Sequence, residues 1–480
     1  MQKNSMAFNM TVLTFSGVVA KTIDFSMKAF YSRALGAEGM GIFSLIMGAY
    51  GIILSLSSAG VGAAVSRLVS LKVGSQETSE AQKIVKTAVL IVLSLGAVCL
   101  SGVLFFADGI AVMFLGDIRC TPGLLCITPA AVFMGVSYCI KGYFYGTRQV
   151  FIPASSEFVE QAVKIVAIIF FMEKGLGYGT EYGCAGVLLG LTVGELSSCI
   201  YLCLWYKIKT GTWKSEKSQV LAILKMTVPM TISAVGNSFF RVIEDIWIVR
   251  GFRRFGHNNA MEAYGMIHGM AMPLLIFPLT LVSSLMAIVV PEISRAEKDG
   301  KLSFVISRMW KTGIFFGFLV FAVFFLFAEE ISLAIYGTRK PAEYIKPLSL
   351  LCPVMIIDSL STGMLGGLGE QMKLLKYGLM DTALRLFIVY FILPVKGNSS
   401  IILMIFLSNF LTCGLTVNRI RKKSGLRLSA KRGVSPCLCA LKTILISILV
   451  LPEGLSGIGL IMGIIITAGM YSLLSIKIKT

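Results

Sequence analysis

Runs of about twenty apolar residues recur along the whole chain, separated by short connections carrying glycine and charge, and a run of that length matches the hydrocarbon thickness of a bilayer. They fall at 6–32, 39–66, 84–107, 121–143, 152–172, 183–206, 220–249, 262–290, 312–328, 345–368, 375–394, 399–418, 436–452 and 455–476. Most of the 480 residues are used in this way, and no sizeable soluble domain fits in the remainder. With 56% hydrophobic and 14% charged residues, the composition also departs from that of soluble chains. The runs are too long for barrel strands and do not alternate apolar with polar, which excludes an outer-membrane barrel. The expected fold is an all-α polytopic membrane protein of about fourteen transmembrane helices. Residues 6–20 read as an uncleaved first helix, because apolar character resumes directly after them.

The net charge of +19 would suggest nucleic acid in a soluble protein. Here its placement explains it. Basic residues crowd the connections on one side of the expected bundle, as at Lys207, Lys209, Lys214, Lys217 and Lys225, or Arg419, Arg421, Lys422, Lys423 and Arg427. Positive loops stay in the cytoplasm, so both termini are expected there, in a multi-pass protein of the cytoplasmic membrane attracted to anionic inner-leaflet lipid. The other side carries fewer cations, among them Arg250, Arg253 and Arg254. The eleven cysteines form no CxxC pair and the chain has only two histidines, His257 and His268, so the cysteines read as small apolar residues and no metal or cofactor is expected.

The chain also resembles itself at an offset of about 220 to 228 residues. Lys21 and Asp24 recur as Arg241 and Glu244, Gly41 as Gly265, Ser66-Arg67 as Ser294-Arg295, and Glu160 with Lys164 as Asp381 with Arg385. The offset spans an even number of helices, so the two copies enter the membrane in the same direction. This predicts two parallel six-helix repeats around a central cavity: an N-lobe at 1–208, a C-lobe at 209–425 joined to it by a linker from Lys207 to Lys225, and a C-terminal helix pair at 426–480.

Ionisable residues inside the apolar runs cost about 2.5 to 3.5 kcal/mol each at mid-bilayer, so they imply pairing or a wet cavity. Lys21, Asp24 and Lys28 share one face of the first helix, and Arg241, Glu244 and Asp245 one face of the seventh. Lys21 lies about 22 Å along its helix at 1.5 Å per residue, beyond the middle of the bilayer. Lys21, Lys28 and Arg241 are candidate ligands for a phosphate or diphosphate in a central cavity. Asp24, Glu244 and Asp245 are candidates for balancing those cations or for ion coupling. The competing reading has Lys28, Arg241 and Arg33 near outer helix ends and snorkelling to water. Glu157, Glu160 and Lys164 stripe the fifth helix and Asp381 pairs with Arg385 in the eleventh, as secondary site candidates or as intrahelical braces. Glu195, Asp358 and His268 are single polar residues in apolar surroundings; for His268 a packing role competes with proton relay.

No nucleotide-binding or hydrolytic motif occurs in a credible context. The chain reads as a non-enzyme whose energy comes from a sodium or proton gradient, the membrane potential or substrate supply. Gly36-Ala37-Glu38-Gly39-Met40-Gly41-Ile42-Phe43, Gly60-Val61-Gly62-Ala63-Ala64-Val65-Ser66-Arg67, Lys141-Gly142-Tyr143-Phe144-Tyr145-Gly146 and Val289-Val290-Pro291-Glu292-Ile293-Ser294 resemble the multidrug/oligosaccharidyl-lipid/polysaccharide flippase superfamily, in its polysaccharide-exporter branch and nearest the stage V sporulation protein B type. The resemblance implies 12 to 14 helices in two lobes, a V-shaped cavity, and alternating access that flips undecaprenyl-diphosphate-linked sugars from the inner to the outer leaflet. The related MurJ branch carries an arginine in a Tyr-x-Asp-Arg stretch of its eighth helix. This chain reads Tyr264-Gly265-Met266-Ile267-His268 there, and that arginine is not carried over.

Three functions compete. The first is a flippase for a lipid-linked oligosaccharide or peptidoglycan precursor, serving a cell envelope or spore cortex. The second is a cation-coupled multidrug antiporter, for which acidic and aromatic cavity residues would be preferred. The third is a non-transporting scaffold for envelope biosynthesis proteins.

Overall fold

Glycine decides where the apolar runs turn. The computed structural model describes residues 2–75, 78–210, 220–256, 259–425, 431–450, 455 and 457–477. Helix α1 (Gln2–Ser58) is broken at Gly36, whose φ of 68° and ψ of −177° no helix accommodates, so one continuous stretch serves as the first two spans. Gly60, at φ 74°, separates it from α2 (Val61–Gly74), and the side chain of Met230 lies where a Cβ on Gly60 would stand. The second expected run, 39–66, is therefore two helices, because the left-handed conformation at Gly60 interrupts the hydrogen-bond ladder.

Beyond these lie α3 (Thr78–Gly109), α4 (Thr121–Gly146), α5 (Phe151–Leu176), α6 (Thr180–Thr210) and α7 (Val220–Phe255). After α8 (Ala260–Tyr264) a π-helical stretch, Gly265–Ala271, leads into α9 (Met272–Lys298). Then follow α10 (Leu302–Leu326), α11 (Ala328–Tyr336), α12 (Ala342–Leu348), α13 (Cys352–Gly367), α14 (Gln371–Phe391), α15 (Leu393–Lys396), α16 (Asn398–Ser424), α17 (Lys431–Val450) and α18 (Ile458–Lys477). No strand occurs among the described residues. Among the described residues the expected runs fall mainly on helix, and ten described segments are long and apolar enough to cross a membrane. Both α5 and α14 carry charge along one face, and the apolar part of α17, Pro436–Val450, is short. Residues 211–219 of the expected interlobe linker, including Lys214 and Lys217, lie outside the described residues, as does Arg427.

Two compact units divide the chain, Met1–Ile246 and Trp247–Thr480, with the division inside α7. In the first, α4 packs against α1, α2, α3 and α6. Val65 and Val69 of α2, Ile84 and Val92 of α3, and Ile140 and Phe144 of α4 form a core from which solvent is excluded. The tightest pair is α5 with α6. Gly186, Gly190 and Gly194 recur every fourth residue on α6, where a Cβ would stand 2.3 Å from the Phe171 carbonyl oxygen, 2.6 Å from Ile168 Cγ1 and 2.9 Å from Lys164 Cβ. This is the small-residue seam that lets membrane helices meet backbone to backbone.

In the second unit, α13 packs against α9, α10 and α16, with Gly313 and Gly317 of α10 set against Leu360 and Pro353. The C-terminal pair α17 and α18 docks on α10, with Phe315 and Tyr471 rings 4.9 Å apart. At one end, Arg419 donates to both carboxylate oxygens of Glu370, and Lys423 bridges Glu370 and Glu297. Arg419 holds the Glu370 carboxyl below the usual carboxylate range. At one end of the first unit, Arg119 plays the corresponding part between Asp117 and Glu38.

Apolar side chains remain exposed over wide areas, Phe105, Met113 and Leu449 being more than four-fifths exposed. Apolar patches of that extent are rare on water-facing surfaces and suit lipid, so the chain is a multi-pass membrane protein. All eleven cysteines are free and none is exposed.

The seam between α5 and α6 gives a direct test. Gly186→Ala forces a methyl into the Phe171 carbonyl and is expected to cost about 1–3 kcal/mol, as overpacking does. A lower midpoint of thermal unfolding in detergent would register it. Gly102→Ala, where nothing lies within 4 Å, should not lower the midpoint.

Candidate functional site

An ammonium group with little access to solvent has to find anions, and Lys164 of α5 finds two. Its Nζ is 3.1 Å from Asp24 Oδ1 on α1 and 3.0 Å from Glu160 Oε1 one turn back on α5. The Lys164 side chain is 9% exposed and that of Glu160 12%, whereas the Asp24 carboxylate is 41% exposed. Gln161 Nε2 also donates to Asp24 Oδ1, at 2.9 Å. Helical periodicity explains the grouping: Glu157, Glu160, Gln161 and Lys164 stand on one face of α5. The bare Gly194 backbone of α6 packs directly on the Lys164 stem.

The network extends through the same unit. Glu195 of α6 lies within electrostatic reach of Glu160, Lys164, Lys141 and Asp24. Glu157 lies within reach of Lys141, Glu160, Lys21 and Asp24. Gln161 Oε1 is buried and accepts no hydrogen bond among the described residues. An ammonium shared by two carboxylates leaves a negative surplus at this place.

Of the residues singled out in the sequence, Asp24, Glu160 and Lys164 are thus brought together, although the first was grouped with Lys21 and Lys28 and the other two were read as an intrahelical pair. Lys21 is exposed. Lys28 is half-buried with its Nζ 5.9 Å from the centre of the Phe43 ring. Arg241 is exposed on α7, and neither it nor Lys21 forms an ion pair among the described residues. Glu244 is buried. Asp245 lies against α1 at Gly48, where a Cβ would come within 3.2 Å of its Oδ2. The Ser55 and Ser238 hydroxyls, 3.0 Å apart, and a bond from Thr231 Oγ1 to the Ala59 carbonyl seat α7 on the second half of α1.

In the second unit the charges of α14 reach α16. Asp381 Oδ1 accepts from Ser408 Oγ at 2.5 Å, and Arg385 is 4.0 Å from Asp381 Oδ2. Thr416 Oγ1 donates to Asp358 Oδ1 at 2.8 Å. His268 stands on the π-helical stretch and stacks on Tyr264, with ring centres 4.9 Å apart. The Tyr336 hydroxyl donates to the Met270 carbonyl beside it. Gln161 was overlooked in the sequence, since an amide between charged residues carries no signal of its own. Its place one turn before Lys164 on a charged face could have raised it.

A family model described as "Polysaccharide biosynthesis protein" matches residues 6–297, more than half of the chain. The chain belongs to the polysaccharide biosynthesis protein family. Among the relatives of this family member, stage V sporulation protein B of Bacillus subtilis (strain 168) is 27% identical over 363 residues, covering 73% of this chain and 70% of the relative. The lipid II flippase MurJ of the same organism is 23% identical over 247 residues, 48% of this chain and 43% of MurJ. Among solved structures, lipid II flippase MurJ in an inward closed conformation superposes with a TM-score of 0.70 at 15% identity, over 94% of this chain and 98% of the other. An inward-facing multidrug resistance MATE transporter of the MOP superfamily gives 0.67 at 16% identity, over 85% and 96%. The resemblance read from the glycine-rich motifs is borne out, and the family member has the fold of that superfamily.

The Asp24–Lys164 contact is expected to be energetically coupled. Asp24→Asn and Lys164→Gln should each lower thermal stability, Lys164→Gln by on the order of 3 kcal/mol because it strands carboxylates. The double variant should lose clearly less than the sum of the two. Strict additivity in unfolding measurements would show that the contact contributes nothing.

Proposed function

We propose that the protein is a flippase that moves an undecaprenyl-diphosphate-linked oligosaccharide or peptidoglycan precursor across the cytoplasmic membrane by alternating access, with both termini in the cytoplasm. The observation that carries this reading is the state of the charges on α1 and α7. Asp24 is taken up by Lys164 and Gln161, Glu244 is buried and Asp245 lies against α1, while Lys21 and Arg241 stay exposed without an ion pair among the described residues. Cations not neutralised by their own carboxylates are suited to a diphosphate head group. Membership of a polysaccharide biosynthesis family and kinship with a protein named lipid II flippase point to the same cargo chemistry. Kinship with a stage V sporulation protein adds spore-envelope synthesis as the setting.

On this reading the protein is a transporter and not a catalyst, Lys21 and Arg241 bind the diphosphate with Lys28 as an auxiliary cation, and the lipid tail stays in the bilayer. The acidic surplus around Lys164 supplies coupling to a proton or sodium ion, with Asp24 as its exposed entry. The same surplus, with the fold likeness to a multidrug transporter, favours the second reading, a cation-coupled drug antiporter of the same superfamily.

Lys21→Ala and Arg241→Ala are each expected to abolish complementation of a flippase-deficient strain at normal membrane levels of the protein. Flipping of a fluorescent undecaprenyl-diphosphate saccharide in reconstituted vesicles, run beside cationic-dye efflux, separates the readings. Dye export without lipid flipping would replace the first by the second, and full complementation by both variants would remove the diphosphate assignment.

A further inference from the structure

Three arginines close α7, at Arg250, Arg253 and Arg254. The loop charges put this end of the helix outside, where positive residues oppose the usual bias of membrane insertion. Cations in the last turn also complement the helix dipole, which accounts for charge at any of the three positions but not for what surrounds two of them. Arg250 and Arg254, one turn apart on the same face, border a cavity of about 130 Å³ whose other walls include Trp247, Gly251, Tyr390 and Pro394. Both are exposed, and neither forms an ion pair among the described residues. The Trp247 and Tyr390 rings, with centres 5.1 Å apart and planes inclined at 49°, pack together at its edge.

The cavity is built in advance of any ligand. A Cβ on Gly251 would stand 2.6 Å from Leu393 Cδ2, so the absence of a side chain there lets α7 close on α15. One turn later Phe255 lies over Gly397, where a Cβ would again meet the ring at 2.6 Å, and the φ of 57° at Gly397 suits glycine. These two contacts lock the end of α7 to the corner between α14 and α16. The cavity is wide enough to admit water-sized groups and a phosphate.

We propose that this cavity binds the phosphate group of an anionic lipid in the outer leaflet. Arg250 and Arg254 supply the planar, charge-assisted donors that phosphate oxygens accept. Trp247 and Tyr390 are of the type that settles at head-group depth and keep the two guanidinium groups there. The lipid is either the cargo, held by its phosphate on arrival, or a resident phospholipid; the chemistry recognised is the same. The outer placement rests on the orientation read from the loops, whereas binding itself does not depend on the flippase reading.

Native mass spectrometry of the purified full-length protein tests the proposal, with undecaprenyl phosphate, dioleoylphosphatidylglycerol and dioleoylphosphatidylcholine as probes. The unaltered protein should retain the two anionic lipids over phosphatidylcholine. The double variant Arg250→Gln/Arg254→Gln should lower occupancy by one or both anionic lipids at least fivefold, and Arg250→Lys/Arg254→Lys should recover part of it. Arg253→Gln, which like each single variant removes one positive charge from this end of α7 but does not border the cavity, should have no effect. Loss confined to undecaprenyl phosphate assigns the cavity to cargo, and loss confined to phosphatidylglycerol assigns it to resident lipid. Should the double variant fail to fold, each single Arg→Gln variant should still lower occupancy at least twofold. Unchanged occupancy by both anionic lipids, or an equal fall with Arg253→Gln, would overturn the proposal. Loss of flipping in vesicles with lipid occupancy intact would count against the function proposed above and leave the cavity standing.

Discussion

A positive charge can live in the interior of an apolar bundle only where anions wait for it, and the first unit is arranged around that requirement at Lys164. Its two carboxylate partners come from different helices, so the pairing is also a statement about where α1 stands against α5. The same α5 face is pressed against α6 through bare backbone at Gly194. Charge compensation and close packing therefore meet at one residue. The desolvation penalty that would make an isolated lysine untenable is offset by the carboxylates of α1 and α5, while the glycine seam closes α6 over the lysine stem.

The two units treat equivalent charges differently. Glu160 with Lys164 and Asp381 with Arg385 match in the internal repeat, yet the first pair closes onto a carboxylate of α1 and the second onto a serine hydroxyl of α16. One arrangement stores an ionic surplus and the other is a carboxylate held by neutral donors and a partly exposed arginine. Residues that match in the sequence thus have different polar partners in the two units.

The helical class was readable because twenty-residue apolar runs have almost no alternative structure in lipid. The interruption at Gly60 was hidden, since a glycine in an apolar run looks the same whether it bends the chain or merely fits beside Met230. The partnership of Asp24 with Lys164 was equally out of reach: both were marked as costly, but spacing along one helix says nothing about a partner some 140 residues away. The glycines at 186, 190 and 194 do follow a four-residue period and were legible in principle. What the sequence alone does not carry is which helix they face, and only α5 makes them meaningful.

That face has a mechanical side. Where carbonyl groups of one helix touch the glycine positions of the next, there is no flexible side chain to absorb a shear, and α5 and α6 behave as a single strut. Whatever displaces one must carry the other, so a change of charge at Lys164 acts on a lever two helices thick.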